Sequence, residues 1–254
     1  MKTYEIQSPQ NETYKVFESL LTSSGIMAND QALLFGKKTV RETLEHHTKS
    51  CLGIILTPEM ELPTFTQSSN LTIYRLDKAL FKNLDVFGNR FPILLITPPQ
   101  FLPWSPESAS DGCQLLIAFQ EPSNVGAVLR SAAAFGVSKI IISKGCAHPC
   151  HPKSSRAASG TLLNHEYYRA DSLDKINFGT LPVVALDSTG LEISKFKFPK
   201  RFVLVPGVEG PGFPEGFKPQ FMVSIAMKNQ VESLNASVAT AIALYAWSVE
   251  VSTF

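Results

Sequence analysis

The feature that most constrains the fold is a series of short, continuous apolar runs in the second half of the chain, separated by helical patterns and loops. Runs of this kind are typical of strands buried on both faces, as in a parallel sheet covered by helices. The predicted strands cover residues 113–119, 139–143, 182–186, 202–205 and 221–225, and the predicted helices cover residues 124–135 and 234–249. We therefore expect an α/β domain built on a largely parallel sheet.

The first hundred residues show a different pattern, in which short strands alternate with helices. Helical spacing of apolar residues occurs at 13–24, 36–47 and 78–84, and apolar strands are predicted at 52–56, 71–74 and 91–97. This alternation predicts a small α/β domain over residues 1–97. The next stretch, 98–111, holds four prolines within nine residues, which favours a stiff linker. The larger domain is then expected to cover 112–254.

The composition excludes several classes of protein. Hydrophobic residues make up 44% of the 254-residue chain and the net charge is +1, which is ordinary for a globular protein and unlike a polyelectrolyte. No apolar run approaches the roughly 20 residues that span a bilayer, and the N-terminus lacks the apolar core of a signal peptide. Four cysteines do not form a disulfide framework, so we expect a cytoplasmic protein.

A glycine-rich turn, residues 207–212, comes after one of the predicted strands. Its sequence, Gly-Val-Glu-Gly-Pro-Gly, has neither the dinucleotide G-x-G-x-x-G spacing nor the Lys-Ser/Thr of a Walker loop. Ligands of open α/β sheets bind at the carboxyl ends of strands, and glycines allow the backbone to approach a flat ligand. The sequence is therefore compatible both with a ligand-binding turn and with a plain surface turn that carries Glu209.

Polar residues stand at the starts of two predicted helices. Asn124 opens one of them and Arg130 comes later on the same helix. The alternatives to a functional role are a helix-capping Asn124 and a solvated Arg130. Ser233 and Asn235 open the last helix, where Ser233 is the expected N-cap and Asn235 indicates polar groups gathered around a ligand.

Two further motifs have ordinary structural explanations. Cys146, His148, Cys150 and His151 share one loop, but their spacing is not a usual zinc pattern, so we expect an ordinary loop and no metal site. The segment 195–201 alternates lysine with phenylalanine. This alternation is compatible either with contact to phosphates and bases or with a half-buried strand.

Three motifs, taken in this order and spacing, resemble those of the SpoU/TrmH family of SPOUT RNA methyltransferases. They are residues 124–130, 205–212 and 224–239, and the resemblance covers roughly residues 112–250. It implies a parallel-sheet α/β domain with a trefoil knot, S-adenosyl-L-methionine as cofactor, and a homodimer through the C-terminal domain. It also implies methyl transfer to a ribose 2′-hydroxyl of ribosomal or transfer RNA, and a small N-terminal domain that binds this RNA. The alternative is an RNA-binding module of the same fold without transfer activity.

The resemblance further implies the residues of the site. Those matching the family's catalytic set are Asn124, Arg130, Glu209, Ser233 and Asn235, and those matching positions whose backbones hold the cofactor are Gly207, Ile225 and Leu234. We also expect Leu186, Gly212 and Met227 to bind the cofactor. The chain departs from the family pattern at Ala226, where proline is usual, and at Glu121, where aspartate is common. Because an arginine stays protonated in nearly all settings, we expect Arg130 to clamp a phosphate or stabilise an alkoxide rather than to act as a base.

Overall fold

The chain forms two compact units. The structure, a computed structural model, describes residues 2–63, 71–207, 212–228 and 233–252. The first unit consists of Met1–Pro98 together with His148–Leu163, and the second consists of Pro99–Ala147 together with Asn164–Phe254. The first unit is therefore completed by a segment from the middle of the chain, which lies outside the range 1–97 that the sequence predicts for it.

The described residues form twelve strands and seven α-helices. The strands are β1 (Thr3–Ile6), β2 (Ala32–Leu34), β3 (Cys51–Leu56), β4 (Thr72–Leu76), β5 (Ile93–Ile96), β6 (Phe101–Pro103), β7 (Gly112–Ile117), β8 (Lys139–Ser143), β9 (Glu166–Ala170), β10 (Val183–Glu192), β11 (Arg201–Val205) and β12 (Phe221–Ser224). The helices are α1 (Glu12–Ser19), α2 (Ser23–Asn29), α3 (Lys37–His46), α4 (Lys78–Leu84), α5 (Pro122–Ala134), α6 (Pro152–Ala158) and α7 (Ala236–Ser252). None of these helices is long and apolar enough to cross a membrane.

The first unit contains a mixed sheet with the strand order β1-β4-β3-β5-β2. Strand β4 pairs in parallel with β1 and β3, whereas β5 pairs antiparallel with β3 and β2. The residues predicted to form a single helix, 13–24, belong to two helices. Helix α1 ends at Ser19, and Thr22 then caps α2 by accepting a hydrogen bond from the Gly25 N–H. The sequence analysis also missed β1, β2 and α6, which are short.

The second unit contains a sheet in which all observed pairs are parallel, in the order β12-β10-β11-β7-β8-β9-β6. Its central strands are buried: Leu115, Ile141 and Leu204 are fully inaccessible to solvent. The predicted parallel α/β sheet is thus confirmed. The trefoil knot stays a prediction, since residues 208–211 and 229–232 of the C-terminal region lie outside the described residues.

The proline-rich segment 98–111 is not simply a linker. It contains β6, which pairs with β9 at the edge of the parallel sheet and so belongs to the second unit. Proline is tolerated on an edge strand because it removes only one donor from the outer row of hydrogen bonds. The composition therefore indicated correctly that no central strand could lie here, but it concealed an edge strand.

Candidate active site

A cavity of about 570 Å³ lies at the carboxyl ends of β11 and β12, beside the middle of β10 and the start of α7. This is the edge of a parallel sheet at which ligands generally bind. All six residues predicted to bind the cofactor line the cavity: Leu186, Gly207, Gly212, Ile225, Met227 and Leu234. Two residues of the predicted catalytic set, Ser233 and Asn235, line it as well. The structure therefore brings together segments that are up to about fifty residues apart.

Asn235 connects the cavity to α5. Its Nδ2 donates a hydrogen bond of 3.1 Å to Oδ1 of Asn124, which comes from a part of the chain 111 residues away. Its Oδ1 accepts from the backbone N–H of Ser237 at 2.9 Å and from the Ser237 hydroxyl at 2.6 Å. Because a backbone N–H can only donate, these contacts fix which end of the Asn235 amide faces Asn124.

The starts of both helices differ from the sequence prediction. Helix α5 begins at Pro122, with Glu121 as the N-cap, and the Glu121 side chain accepts from the Ser123 N–H at 3.2 Å. Asn124 is therefore inside the first turn and is not the cap. Helix α7 begins at Ala236, and its first turn is capped by Asn235 instead of Ser233. Both differences arise because the apolar periodicity does not show which polar residue satisfies the first free N–H groups.

The other members of the predicted catalytic set are placed differently. Ser233 is exposed at the cavity. Arg130 is also exposed, more than two turns into α5, and among the described residues it does not line the cavity. Glu209 lies outside the described residues. Within one chain, the described part of the site thus consists of the cavity and the Asn124–Asn235 pair, with Arg130 on a neighbouring part of α5.

A loop within β10, which the sequence did not predict, also lines the cavity. Leu186 and Leu191 both pair with Val223 of β12, so residues 187–190 are inserted between two paired residues of the same strand. Asp187 and Ser188 of this insertion line the cavity. Further lining residues that were not predicted are Phe213, Val223, Ser224, Ala236 and Ala239. The apolar run that predicted the strand ends at Leu186, and its periodicity gives no sign of an insertion beyond that residue.

Asp187 is held by the residue two places further along. Its Oδ1 accepts from the Thr189 N–H at 2.8 Å and from the Thr189 hydroxyl at 2.6 Å. The hydrogen bond from the Thr189 hydroxyl, followed by that from its backbone, lowers the pKa of Asp187 because both stabilise the carboxylate. The cavity therefore contains an ionised carboxylate at neutral pH.

The cysteine- and histidine-containing loop has structural contacts. His148 Nδ1 accepts from the Cys150 N–H at 3.0 Å, and His151 Nδ1 accepts from the Lys153 N–H at 3.2 Å, where it caps α6. Burial raises the pKa of Cys146 to about 12, so the thiol is protonated. Among the residues that the structure describes, no three His, Cys, Asp or Glu side chains are grouped as metal ligands would be.

The alternating lysine and phenylalanine segment is not a strand. The ring of Phe196 packs against Phe221 at 5.5 Å between centroids, and the ring of Phe198 packs against Phe202 at 5.3 Å. Lys195 forms an ion pair of 3.2 Å with Glu192. Both rings are half-buried against the sheet, which favours the structural explanation of this segment over base stacking.

The range that contains the cavity matches a known protein family. The SpoU rRNA Methylase family matches residues 114–245, which include every residue predicted for the site. The chain belongs to this family. The matched range begins in β7 and ends in α7, so it covers most of the second unit and also the segment His148–Leu163 of the first unit.

Individual relatives extend the likeness to nearly the whole chain. A Syntrophobacter fumaroxidans protein named "Ribosomal RNA small subunit methyltransferase G 2" is 41% identical over 245 residues, which are 96% of this chain and 49% of that protein. The chain thus spans about half the length of this relative. The Bacillus subtilis "23S rRNA (guanosine(2553)-2'-O)-methyltransferase RlmP" is 23% identical and is covered over 98% of its length by 95% of this chain.

A solved structure supports the fold in the same way. The SpoU methyltransferase AviRb from Streptomyces viridochromogenes, in complex with the cofactor AdoMet, superimposes with a TM-score of 0.82 at 19% identity. The match covers 96% of this chain and 99% of AviRb. At this identity the comparison shows a common α/β fold over nearly the full length of both chains.

Proposed function

We propose that the protein transfers the methyl group of S-adenosyl-L-methionine to a ribose 2′-hydroxyl of ribosomal or transfer RNA. The observation that carries this proposal is the cavity itself, which gathers all six predicted cofactor-binding residues from several separate segments. The volume of about 570 Å³ falls in the range of small-molecule sites. The Asn124–Asn235 hydrogen bond joins this cavity to the helix that carries Arg130.

The names of similar proteins support the same reaction. The Bacillus subtilis relative that matches along its whole length is named as a 2′-O-methyltransferase of 23S rRNA, and the AviRb structure is described in complex with AdoMet. The Syntrophobacter fumaroxidans relative is named as a methyltransferase of the small-subunit ribosomal RNA, but about half of that protein lies outside the match. We therefore base the proposed ribose target on the family motifs and on the full-length relative.

The mechanism is dictated by the weakness of a ribose hydroxyl as a nucleophile. When bound, S-adenosyl-L-methionine supplies an electrophilic methyl group. The protein must then hold the hydroxyl in line with that methyl group and stabilise the alkoxide that forms as the hydroxyl proton passes to water. The ribose oxygen would bond to the methyl carbon as the bond between that carbon and sulfur breaks. The Ser237 contacts orient the Asn235 amide, which donates to Asn124 Oδ1, so the two asparagines can present polar groups to the ribose or its phosphate. We assign Arg130 to clamp a phosphate or stabilise the alkoxide, since the planar guanidinium of an arginine is cationic and forms paired hydrogen bonds with phosphate oxygens.

The test is transfer of tritium from labelled S-adenosyl-L-methionine to unmodified total RNA, separated by size into ribosomal and transfer pools. The wild-type protein is compared with Arg130→Ala. We expect label in one pool, recovered as a 2′-O-methylnucleoside and lost in the variant. Cofactor binding without label in any pool would instead support an RNA-binding module without transfer activity. Label recovered on a base would contradict the ribose target.

We also propose that the first unit contacts the RNA. Lys37, Lys38 and Arg41 are exposed in the first turns of α3 and line a groove of about 540 Å³. Glu42 and Glu45 lie on the same helix and pair with Lys38 and Arg41, so the groove is mixed in charge. The variant Lys37→Glu should weaken RNA binding several-fold at low salt and leave S-adenosyl-L-methionine binding unchanged. Lys82→Glu, at the exposed end of α4, is the matched control.

We further propose a homodimer formed through α7. Val238, Tyr245 and Val249 are about half exposed, and their spacing of seven and four residues puts them on one side of the helix. An exposed apolar stripe of this kind is typical of a surface that another protein covers. Sedimentation equilibrium should give a dimer for the wild type and a monomer for Val238→Glu/Tyr245→Glu. A wild-type monomer at micromolar concentration would contradict the proposal.

The proposed compartment is the cytoplasm. All four cysteines are free in the structure. Free thiols are usual in a reducing compartment.

A further inference from the structure

Asp187 stands out among the residues of the cavity because of its charge. It is the one charged residue among the described residues that line the cavity, the others being apolar, glycine, serine or asparagine. Neither the motifs nor the family likeness gave it a role. Its side chain is ionised at neutral pH, because Thr189 donates two hydrogen bonds to the same carboxylate oxygen.

The loop that carries Asp187 is held firmly in place. Gly190 lies so close to β12 that a Cβ added to it would be 2.5 Å from the Val223 nitrogen and 2.6 Å from the Met222 oxygen. The Ser224 hydroxyl, whose residue also lines the cavity, donates to the Gly190 carbonyl at 2.8 Å. The carboxylate is therefore presented by a preorganised insertion, which is the way a ligand-binding side chain is usually supported.

The place of Asp187 in the sheet separates it from the Asn124–Asn235 pair. Helix α5, which carries Asn124, comes directly after β7, and β11 lies between β7 and β10. Neighbouring strands are about 4.8 Å apart, so the ends of β7 and β10 are separated by roughly 10 Å. If methyl transfer takes place beside the asparagine pair and Arg130, the sulfonium of the cofactor belongs at that end. The adenosine portion then extends towards β10.

We propose that the Asp187 carboxylate accepts hydrogen bonds from the 2′- and 3′-hydroxyls of the cofactor's own ribose. This inference rests on the proposed function, because it takes S-adenosyl-L-methionine as the ligand of the cavity. An acidic side chain just beyond a parallel strand is a known solution for binding the ribose of an adenosine ligand in other α/β folds. Hydrogen bonds to an ionised acceptor are stronger than those between neutral groups, so the carboxylate contributes both affinity and orientation.

Calorimetric titration of Asp187→Asn with four ligands tests this assignment. S-adenosyl-L-methionine, S-adenosyl-L-homocysteine and 5′-methylthioadenosine all carry the ribose diol, and the last two lack the sulfonium charge. The fourth ligand, 5′-methylthio-2′,3′-dideoxyadenosine, lacks the diol. We expect the variant to bind the first three roughly tenfold more weakly and the dideoxy ligand as the wild type does. Asp174→Asn is the matched control, because Asp174 is an exposed carboxylate of the same unit hydrogen-bonded to Ser172.

Each other outcome overturns the assignment in a recognisable way. A loss confined to S-adenosyl-L-methionine would place the carboxylate at the sulfonium. A loss for the two amino-acid-bearing ligands alone would place it at the ammonium group. An equal loss for the dideoxy ligand would place it at the adenine, and no loss at all would remove Asp187 from the binding site. If the wild-type protein bound none of the first three ligands, the proposed function would itself be wrong.

Discussion

The two ends of the cavity are built in different ways. At one end, Asn235 meets Asn124 across 111 residues of sequence, and the contact exists only because α7 packs against α5. At the other end, Asp187 is held by Thr189, two residues away, within an insertion of a single strand. The first arrangement depends on the tertiary structure of the whole unit, and the second is nearly local.

This difference separates catalysis from binding. The asparagine pair combines structural and chemical roles, since Asn235 caps α7 with its Oδ1 and contacts Asn124 with its Nδ2. Residues 187–190 cap no helix, so a substitution there does not remove a helix cap. We therefore expect substitutions at the asparagine end to lower turnover, whereas those at the Asp187 end should lower the affinity for the cofactor and leave turnover at saturating cofactor near the wild-type value.

The largest effect is expected for Asn235→Ala. Methyl transfer should fall about 100-fold or more, as it does when one preorganised polar group is removed from an active site. The free energy of unfolding should fall by about 1 kcal/mol, because the cap of α7 is lost. Single-turnover kinetics and denaturant unfolding measure the two effects. Ser248→Ala, which removes a hydroxyl near the other end of α7, should change neither quantity appreciably.

Asn235→Asp separates the two roles of this residue. Its carboxylate can still accept from the Ser237 and Val238 N–H groups and is favoured at a helix N-terminus, so stability should be kept. It can no longer donate to Asn124 Oδ1, so transfer should be as slow as in the alanine variant. Wild-type activity in Asn235→Asp would show that the contact with Asn124 does not matter for the reaction.

A smaller effect at the same end is expected for Arg130→Lys. Lysine keeps the positive charge but cannot form the paired hydrogen bonds of a guanidinium, so turnover should slow roughly tenfold. If Arg130 is a clamp, the pH dependence of the rate should keep its midpoint. A midpoint shifted towards the pKa of a lysine would instead identify residue 130 as the base. The control is Arg169→Lys on β9, whose guanidinium contacts the ring of Phe101.

The sequence predicted the parallel sheet well because the same signal, a continuous apolar run, recurs in each of its buried strands. Four of the five strands predicted in residues 112–254 agree with the structure to within about two residues at each end, since buried parallel strands are continuous apolar runs. The fifth, β10, was predicted to end at Leu186 and continues through its insertion to Glu192. Strand β9 was missed because only Tyr167 and Tyr168 of its five residues are buried, so that the strand contains no continuous apolar run.

The site was predictable only through the motifs. Apolar patterns indicate which strand ends lie at the same edge, but no local rule states that Asn124 and Asn235 meet, since this contact depends on helix packing. Resemblance to the family supplied eight residues, five of which line the cavity. Asp187 escaped both kinds of reasoning, because it lies beyond the apolar run and outside the three motifs.

At the Asp187 end, Gly190→Ala should lower the affinity for the cofactor less than Asp187→Asn does. The added methyl group would collide with the backbone of β12, which cannot move away without breaking the sheet, so the insertion must shift. We expect affinity for S-adenosyl-L-homocysteine to fall about fivefold and the free energy of unfolding to fall by about 1–3 kcal/mol. Turnover with saturating cofactor should stay near the wild-type value. Ser224→Ala, which removes only the hydroxyl bonded to Gly190, should cause a smaller loss of affinity in the same direction.

The smallest effect is expected for Thr189→Val, which keeps the shape of the side chain and removes the hydroxyl that contributes most to lowering the pKa of Asp187. The pKa of Asp187 should therefore rise towards the usual value of about 3.9. A carboxyl whose pKa is lowered in the folded state adds stability above its unfolded pKa and loses it as the pH falls through its folded pKa. The valine variant should accordingly be slightly less stable than the wild type at about pH 6, and the difference should shrink on acidification below about pH 4. Titration of the Asp187 carboxyl carbon by NMR measures the shift directly, and equal pKa values in the two proteins would show that Thr189 does not control the charge at this end of the cavity.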